Sequence, residues 1–276
     1  MAHGHKQRDV ADRLQRLLKT ISKYVNAVAT SLCYHGKTII QPTIAKVPHP
    51  YVMKNRMYYP WFADCVGAID GIHVKAKVRG KNSVPYRGRK STTTQNVMCV
   101  VDFDLCFTYI YSGWEGSTHD SRVFLECIND PKVRFPTPVG ENYYLMDFRY
   151  GCYKGFLPPY RNERYHLEAF CKLGVKPRNV MELFNYRHSS LRSVVERTFV
   201  HNFIRKDCGK TDPLFKEALQ QIYNQDWVDV SLCDHMPRIQ YVELGLRPDR
   251  TKTSKEYMLA YRAAVVEHLW STIHSE

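Results

Sequence analysis

Residues 61–80 read WFADCVGAIDGIHVKAKVRG, a short apolar run with one carboxylate, Asp70, near its centre. The run from residue 65 to 74 is rich in β-branched residues and predicts a buried strand. Because an unpaired charge is costly to desolvate, Asp70 must be paired with a cation, protonated or bound to a metal. His73 and Lys75 lie an odd number of residues away, on the opposite face of a strand, so neither is an automatic partner.

The residues that follow predict a mixed sheet. Two strand-like runs, TQNVMCVVDFD and CFTYIYSGW, meet at DFDL and form a hairpin. The segment DSRVFLECI predicts a short helix with Asp120 as a candidate N-cap, and ENYYLMD predicts a fourth strand that ends at Asp147. GFLPPYR indicates a loop and RYHLEAF a fifth, edge strand. Three leading strands favour an antiparallel meander, and the helix after them favours a crossover to a parallel strand.

Helical patterns surround this sheet. Apolar periodicity predicts a helix in residues 9–33, and residues 180–206 are strongly helical with a break near YRHSS, where Ser189 is a candidate cap. Two further helices are predicted in residues 209–232 and 246–273. We divide the chain into an N-terminal helical remnant and linker (1–59), a main α/β domain (60–206) and a C-terminal helical tail (207–276).

Composition limits the classes of function. The 276 residues carry a formal net charge of +13, which suggests a polyanionic partner such as nucleic acid. Nine cysteines, an odd number without a C-x-x-C pair, indicate reduced thiols in an intracellular protein. The N-terminus lacks the apolar stretch of a signal peptide and no run is long enough to span a membrane, so we expect a soluble protein of the nucleus or cytoplasm.

Two further acids could join Asp70. Asp147 ends a predicted strand, and Glu196 lies on a helix that could cross the sheet. Each alone could be an ordinary surface carboxylate. Together, three hard oxygen ligands would suit Mg²⁺ or Mn²⁺, and like charges held close raise a pKa or recruit a cation.

A family resemblance connects these acids. The motifs CVGAIDGIHV, YRGRKSTTTQNVMCVVDFDLCFTYIYSGWEGSTHDSRVF, YYLMDFRYGCYKGFLPPYR, YHLEAF and ELFNYRHSSLRSVVERTF occur in order between residues 60 and 206. This segment resembles the catalytic domain of PIF/Harbinger-type transposases and the plant nuclease-like proteins derived from them. The resemblance implies an RNase H-like fold and a divalent-metal D-D-E triad that cuts DNA, formed by Asp70, Asp147 and Glu196. It also implies a supporting role for Arg192 and makes Asp120 a fourth candidate metal ligand.

The sequence departs from the family pattern in three places. Arg149 replaces a glycine beside Asp147 and could compete with a metal for that carboxylate. The motif ERTF runs directly into VHNFIRK, which implies a deletion or a gene-model error at Phe199–His201. The N-terminal helical region is shorter than the family's.

Basic residues follow Asp70 without an intervening acid, and they would neutralise DNA phosphates. They are Lys75, Lys77, Arg79, Lys81, Arg87, Arg89 and Lys90. The family resemblance implies that a Myb-like partner protein supplies sequence-specific binding. Oligomeric state stays open.

Three hypotheses follow for the whole chain. The first is a metal-dependent DNA endonuclease that acts through the D-D-E triad. The second is a domesticated, catalytically inactive DNA- or protein-binding module. The third is a fragment that folds poorly because one face of its sheet lacks a covering helix.

Overall fold

The computed structural model describes residues 6–42, 48–78, 80–88, 92–165, 167, 170, 177–208 and 249–274. It divides by compactness into Met1–Gln41 and Pro42–Glu276. The first unit contains helices α1 (Gln7–Arg13) and α2 (Leu18–Ile39), so the helix expected over residues 9–33 is interrupted. The domain boundaries drawn from the sequence, at residues 59/60 and 206/207, stay predictions.

The second unit is built on five strands. They are β1 (Cys65–Lys75), β2 (Thr94–Val101), β3 (Phe107–Glu115), β4 (Tyr143–Leu145) and β5 (Phe156–Leu157). The spatial order is β3-β2-β1-β4-β5; β1 pairs antiparallel with β2 and parallel with β4. This mixed sheet, flanked by helices, confirms the expected α/β class and is consistent with the RNase H-like fold.

Helices accompany the strands. They are α3 (Pro50–Lys54), α4 (Asp120–Asn129), α5 (Val180–Arg192), α6 (Val194–Cys208) and α7 (Lys252–His274), with one 3₁₀ turn at Gly80–Ser83. No helix in the described part of the chain is long and apolar enough to cross a membrane.

The two faces of the sheet carry separate cores because strand side chains alternate. On β1, Ala68 joins a cluster that includes Leu191 of α5, Val195 of α6 and Leu269 of α7. The next residue, Ile69, joins the opposite cluster with Phe124 of α4 and other residues. Both faces are therefore covered, and the expectation of a bare sheet face is not met.

Two local predictions were wrong. The fifth strand lies at Phe156–Leu157, inside the segment expected to be a loop, because its backbone pairs in parallel with β4. In the expected edge strand, residues 166 and 168–169 lie outside the described residues, and 167 and 170 are helical. The helix predicted in residues 209–232 also lies outside the described residues.

The break in the helical segment after residue 180 lies later than expected. Ser189 is inside α5, and the helix is interrupted at Ser193, whose hydroxyl donates to the carbonyl of Ser190 at 2.6 Å. A side-chain bond back to the preceding turn competes with continued helical bonding. The interruption separates Arg192, at the end of α5, from Glu196, in the first turn of α6.

The C-terminal helix α7 is part of the core. Met258, Val266 and Leu269 are buried in the same cluster as α5. At its polar positions, Tyr261 donates to Asp64 at 2.9 Å, and Arg262 donates to the carbonyls of Pro158 and Pro159. The segment expected to be a tail thus covers the sheet.

Candidate active site

Asp70 is paired with a cation, the first of the three states that the sequence left open. Arg192 Nη1 donates to Asp70 Oδ2 at 2.7 Å, and the backbone N–H of Gly71 donates to Oδ1 at 3.0 Å. Asp70 lies two residues beyond Ala68 on β1, so its side chain points to the face covered by α5 and α6. The partner lies 122 residues away in sequence and could not be found from local spacing.

Arg192 connects several groups in this site. Its side chain is 13% exposed, and Nη2 lies 3.9 Å from Glu196 Oε1, one helical turn further along. Its Nε donates to the hydroxyl of Tyr165 at 2.5 Å, and the guanidinium also lies over the Tyr165 ring. Asp70 and Glu196, two members of the expected triad, are therefore linked through one arginine.

Asp147 lies two residues after β4, on the same side of the sheet as Asp70 by strand alternation. Its Oδ1 accepts the backbone N–H of Phe148 at 2.7 Å. Burial raises the pKa of Asp147 and the nearby charge of Asp70 adds to the rise, while Arg192 and Arg149 oppose it. Asp147 thus shares the electrostatic environment of Asp70 and Arg192.

Glu196 has a related environment. Burial raises the pKa of its carboxyl, Asp70 adds to the rise and Arg192 lowers it, although the side chain keeps 59% exposure. Glu196 thus lies within the electrostatic influence of one other acid, Asp70, while part of its side chain remains open to solvent.

Arg149 fits its position without strain. The N–H of Tyr150 donates to the carbonyl of Asp147 at 3.2 Å, which closes a turn with Arg149 at its third position. Arg149 is not among the described residues with positive φ, so this turn does not require glycine. Its Nε lies 3.8 Å from Asp147 Oδ2, and 48% of its side chain is exposed. Arg149 therefore lies at the edge of the site, beside Asp147, whereas Arg192 lies inside it and pairs with Asp70.

Asp120 lies on the other face of the sheet. It is the first residue of α4, and the N-cap is His119, so the expectation that Asp120 caps the helix was wrong. Asn96 Nδ2 donates to Asp120 Oδ1 at 2.7 Å. A Cβ at Gly71 would lie 2.3 Å from the same oxygen, which shows that Asp120 packs against the side of β1 opposite to Asp70.

The three carboxylates are ligands that suit a hard cation, but Arg192 already occupies one of them. Asp70, Asp147 and Glu196 offer carboxylate oxygens, the ligands that Mg²⁺ and Mn²⁺ prefer. Within the described ranges, no three acids, histidines or cysteines are grouped closely enough to hold a metal. Metal binding by this set would require Arg192 to release Asp70.

The basic segment is only partly described. Lys75, Lys77 and Arg87 are exposed, and Arg87 is bridged to Thr93. Arg79, Arg89 and Lys90 lie outside the described residues, as does the side chain of Lys81. Their role in DNA binding stays a prediction.

Two residues were missed in the sequence: Tyr165 in the site, and Asn96 beside Asp120 on the opposite face of the sheet. Tyr165 has no short-range signal, because its contact with Arg192 exists only in the folded chain. Asn96 did carry a signal: it is a polar residue inside the apolar strand TQNVMCVV, as Asp70 is in its own strand, and it is fully buried.

The sheet is consistent with an RNase H-like fold, and the three acids singled out in the sequence all lie in the electrostatic environment of Arg192. Residues 69–201 match the model of a family described as DDE superfamily endonuclease. The match covers just under half of the chain, includes Asp70, Asp147 and Glu196, and supports a metal-dependent nuclease of the transposase type. Neither a curated protein nor a solved structure matches the chain.

Proposed function

We propose that the protein is a metal-dependent DNA endonuclease of Harbinger transposase ancestry that hydrolyses phosphodiester bonds through Asp70, Asp147 and Glu196. The observation that carries the proposal is the match of residues 69–201 to the DDE superfamily endonuclease model, which includes all three acids. Asp120 is the weaker candidate for the second acid, since it packs against the opposite face of β1.

The three carboxylates would hold Mg²⁺ or Mn²⁺ after Arg192 turns away from Asp70. Such ions, when bound, activate water and stabilise the leaving oxygen in phosphodiester cleavage. The contribution of the chain is positional. β1 holds Asp70 through its pairing with Cys99 of β2, and Glu196 lies in the first turn of α6, within 3.9 Å of the arginine that pairs with Asp70.

DNA is the proposed substrate, and the exposed Lys75, Lys77 and Arg87 would contact its backbone. A Myb-like partner for sequence recognition and a location in the nucleus follow from the proposed ancestry.

A plasmid-nicking assay with Mg²⁺ or Mn²⁺ tests the activity. Asp70→Asn removes one ligand charge with little change of shape, and we expect it to slow nicking at least ~100-fold, the scale of losing a major electrostatic contribution. Glu126→Gln, an exposed acid on α4, is the charge-matched control and should nick as the unmodified protein does. Unchanged nicking by Asp70→Asn would refute the assignment.

The second candidate is a catalytically inactive DNA- or protein-binding module. The direct Arg192–Asp70 ion pair favours it, because this pair satisfies the carboxylate without a metal. It predicts salt-sensitive DNA binding with no metal-dependent cleavage. Sequencing full-length transcripts across Phe199–His201 would show whether the short junction is encoded or is an error of the gene model.

A further inference from the structure

The turn that follows Asp147 brings two cations to the edge of the site. Arg149 lies beside the Asp147 carboxylate, and its guanidinium is 5.6 Å from the centre of the Phe148 ring. Arg161 comes from the segment after β5, and its Nη2 donates to the carbonyl of Phe148 at 3.0 Å. Both arginines are therefore fixed to the same residue, one peptide bond from the proposed metal ligand.

Most hydrogen-bond donors of these arginines face solvent. A guanidinium has five N–H donors. Among the residues that the structure describes, no hydrogen bond reaches the guanidinium of Arg149, and its nearest carboxylate oxygen is 3.8 Å away. Arg161 is exposed and uses one N–H for the Phe148 carbonyl. Each side chain is anchored at one point and keeps donors available for a ligand.

A ligand of these two arginines would be an anion, and it would need their positive charge because the acids of the site oppose it. Asp70, Asp147 and Glu196 repel a phosphate, and the charge of Arg192 is already used by two of them. The basic segment begins at Lys75, five residues beyond Asp70 along β1, which corresponds to about 17 Å. Arg149 lies 3.8 Å from the Asp147 carboxylate, and Arg161 is hydrogen-bonded to the residue that follows Asp147.

We propose that Arg149 and Arg161 form a phosphate clamp that binds the DNA backbone next to the cleaved bond. The clamp rests on the proposed function, since it takes DNA as the substrate. Arginine forks match phosphate geometry with paired hydrogen bonds. The replacement of the family's glycine by Arg149 is then a gain of substrate contact.

Equilibrium binding in EDTA tests the clamp separately from catalysis. The full chain is titrated onto a fluorescent DNA duplex at several salt concentrations, and anisotropy gives the affinity. Two lost phosphate contacts should lower the slope of log affinity against log salt by about 1.8, which corresponds to roughly 60-fold weaker binding near 0.1 M salt. We expect this for the double variant Arg149→Gln/Arg161→Gln.

Two further variants complete the design. Arg149→Lys/Arg161→Lys keeps the charge and should retain most of the slope, which shows that the loss is electrostatic. Lys132→Gln removes an exposed charge three residues beyond the end of α4, outside the proposed clamp, and should leave the slope unchanged. A folded glutamine double variant with the slope of the unmodified protein, or a preference of the clamp for RNA over duplex DNA, would overturn the proposal.

The outcomes also separate the clamp from the nuclease. A reduced slope in the glutamine variant of a protein that never nicks DNA supports the clamp and refutes the nuclease. Metal-dependent nicking by the unmodified protein, with an unchanged slope in the glutamine variant, supports the nuclease and refutes the clamp.

Discussion

Arg192→Met removes the cation that links Asp70, Glu196 and Tyr165 while keeping an unbranched side chain in its place. The guanidinium is 13% exposed and Asp70 is 23% exposed, so the pair is largely but not fully desolvated. Removing one partner of a buried ion pair costs about 3–5 kcal/mol, and the residual exposure reduces this to ~2–3 kcal/mol. For a chain of this size that loss lowers the melting temperature by roughly 4–12 °C.

Metal should restore much of this stability if the acids form a metal site. Without Arg192, Asp70 and Glu196 are free to accept a divalent ion. A ligand present at 100 times its dissociation constant stabilises the folded state by about 2.7 kcal/mol. We therefore expect saturating Mn²⁺ to raise the melting temperature of Arg192→Met more than that of the unmodified protein, in which the ion must displace the arginine.

Arg164→Met is the matched control, followed in the same thermal melts by circular dichroism. Arg164 also pairs with a buried acid, Glu182, whose carboxylate accepts from Arg164 Nε at 2.8 Å. This second pair lies at the start of α5, at the opposite end of the helix from Arg192, so its loss should destabilise the protein without any additional response to Mn²⁺. Equal Mn²⁺ shifts in both variants would refute the reasoning, as would a melting temperature of Arg192→Met equal to that of the unmodified protein.

Three further predictions concern stability, measured by urea unfolding. Burial raises the pKa of Asp102 to about 6, so ionisation of this carboxyl opposes folding. The free energy of unfolding should be highest below pH 4 and should fall as the pH rises through 6. Asp102→Asn should remove this fall and stabilise the protein by up to ~3 kcal/mol at pH 7. Leu269→Ala on α7 should cost about 2–5 kcal/mol, whereas Leu259→Ala, a partly exposed position on the same helix, should cost less than half as much; similar losses would contradict the placement of α7. Gly71→Ala should cost about 1–3 kcal/mol because its methyl would lie 2.3 Å from the Asp120 carboxylate, and a neutral result would show that Asp120 moves freely.

The sequence predicted those elements whose determinants are local. The hairpin around residues 102–105 follows from two β-branched runs and a short turn, and the structure places β2 and β3 there. The helix after the hairpin predicted a parallel strand, and the structure shows β4 in that role, paired with β1. The prediction that Asp70 needs a partner also rested on local sequence, because the apolar residues on either side of it were sufficient evidence.

The rest depended on contacts that no local pattern records. Arg192 meets Asp70 only because α5 packs across the sheet, so the sequence could not choose among ion pairing, protonation and metal binding. Ser189 had the residue type of a cap, but Phe184 and Leu191 bury α5 on either side of it, and packing extended the helix to Arg192. Strand β5 has two residues and is defined by its partner, so its own sequence resembled a loop.

The docking of α7 has a consequence for synthesis of the protein. The core that supports Asp70 includes Val195 on α6 and Leu269 on α7, which are far apart in the chain. At ~5–20 residues per second, the ribosome needs roughly 4–15 s to proceed from one to the other. During that interval the sheet, α5 and α6 have emerged or are emerging with an apolar face still open. The core beneath Asp70 is therefore completed only after the last helix has been synthesised.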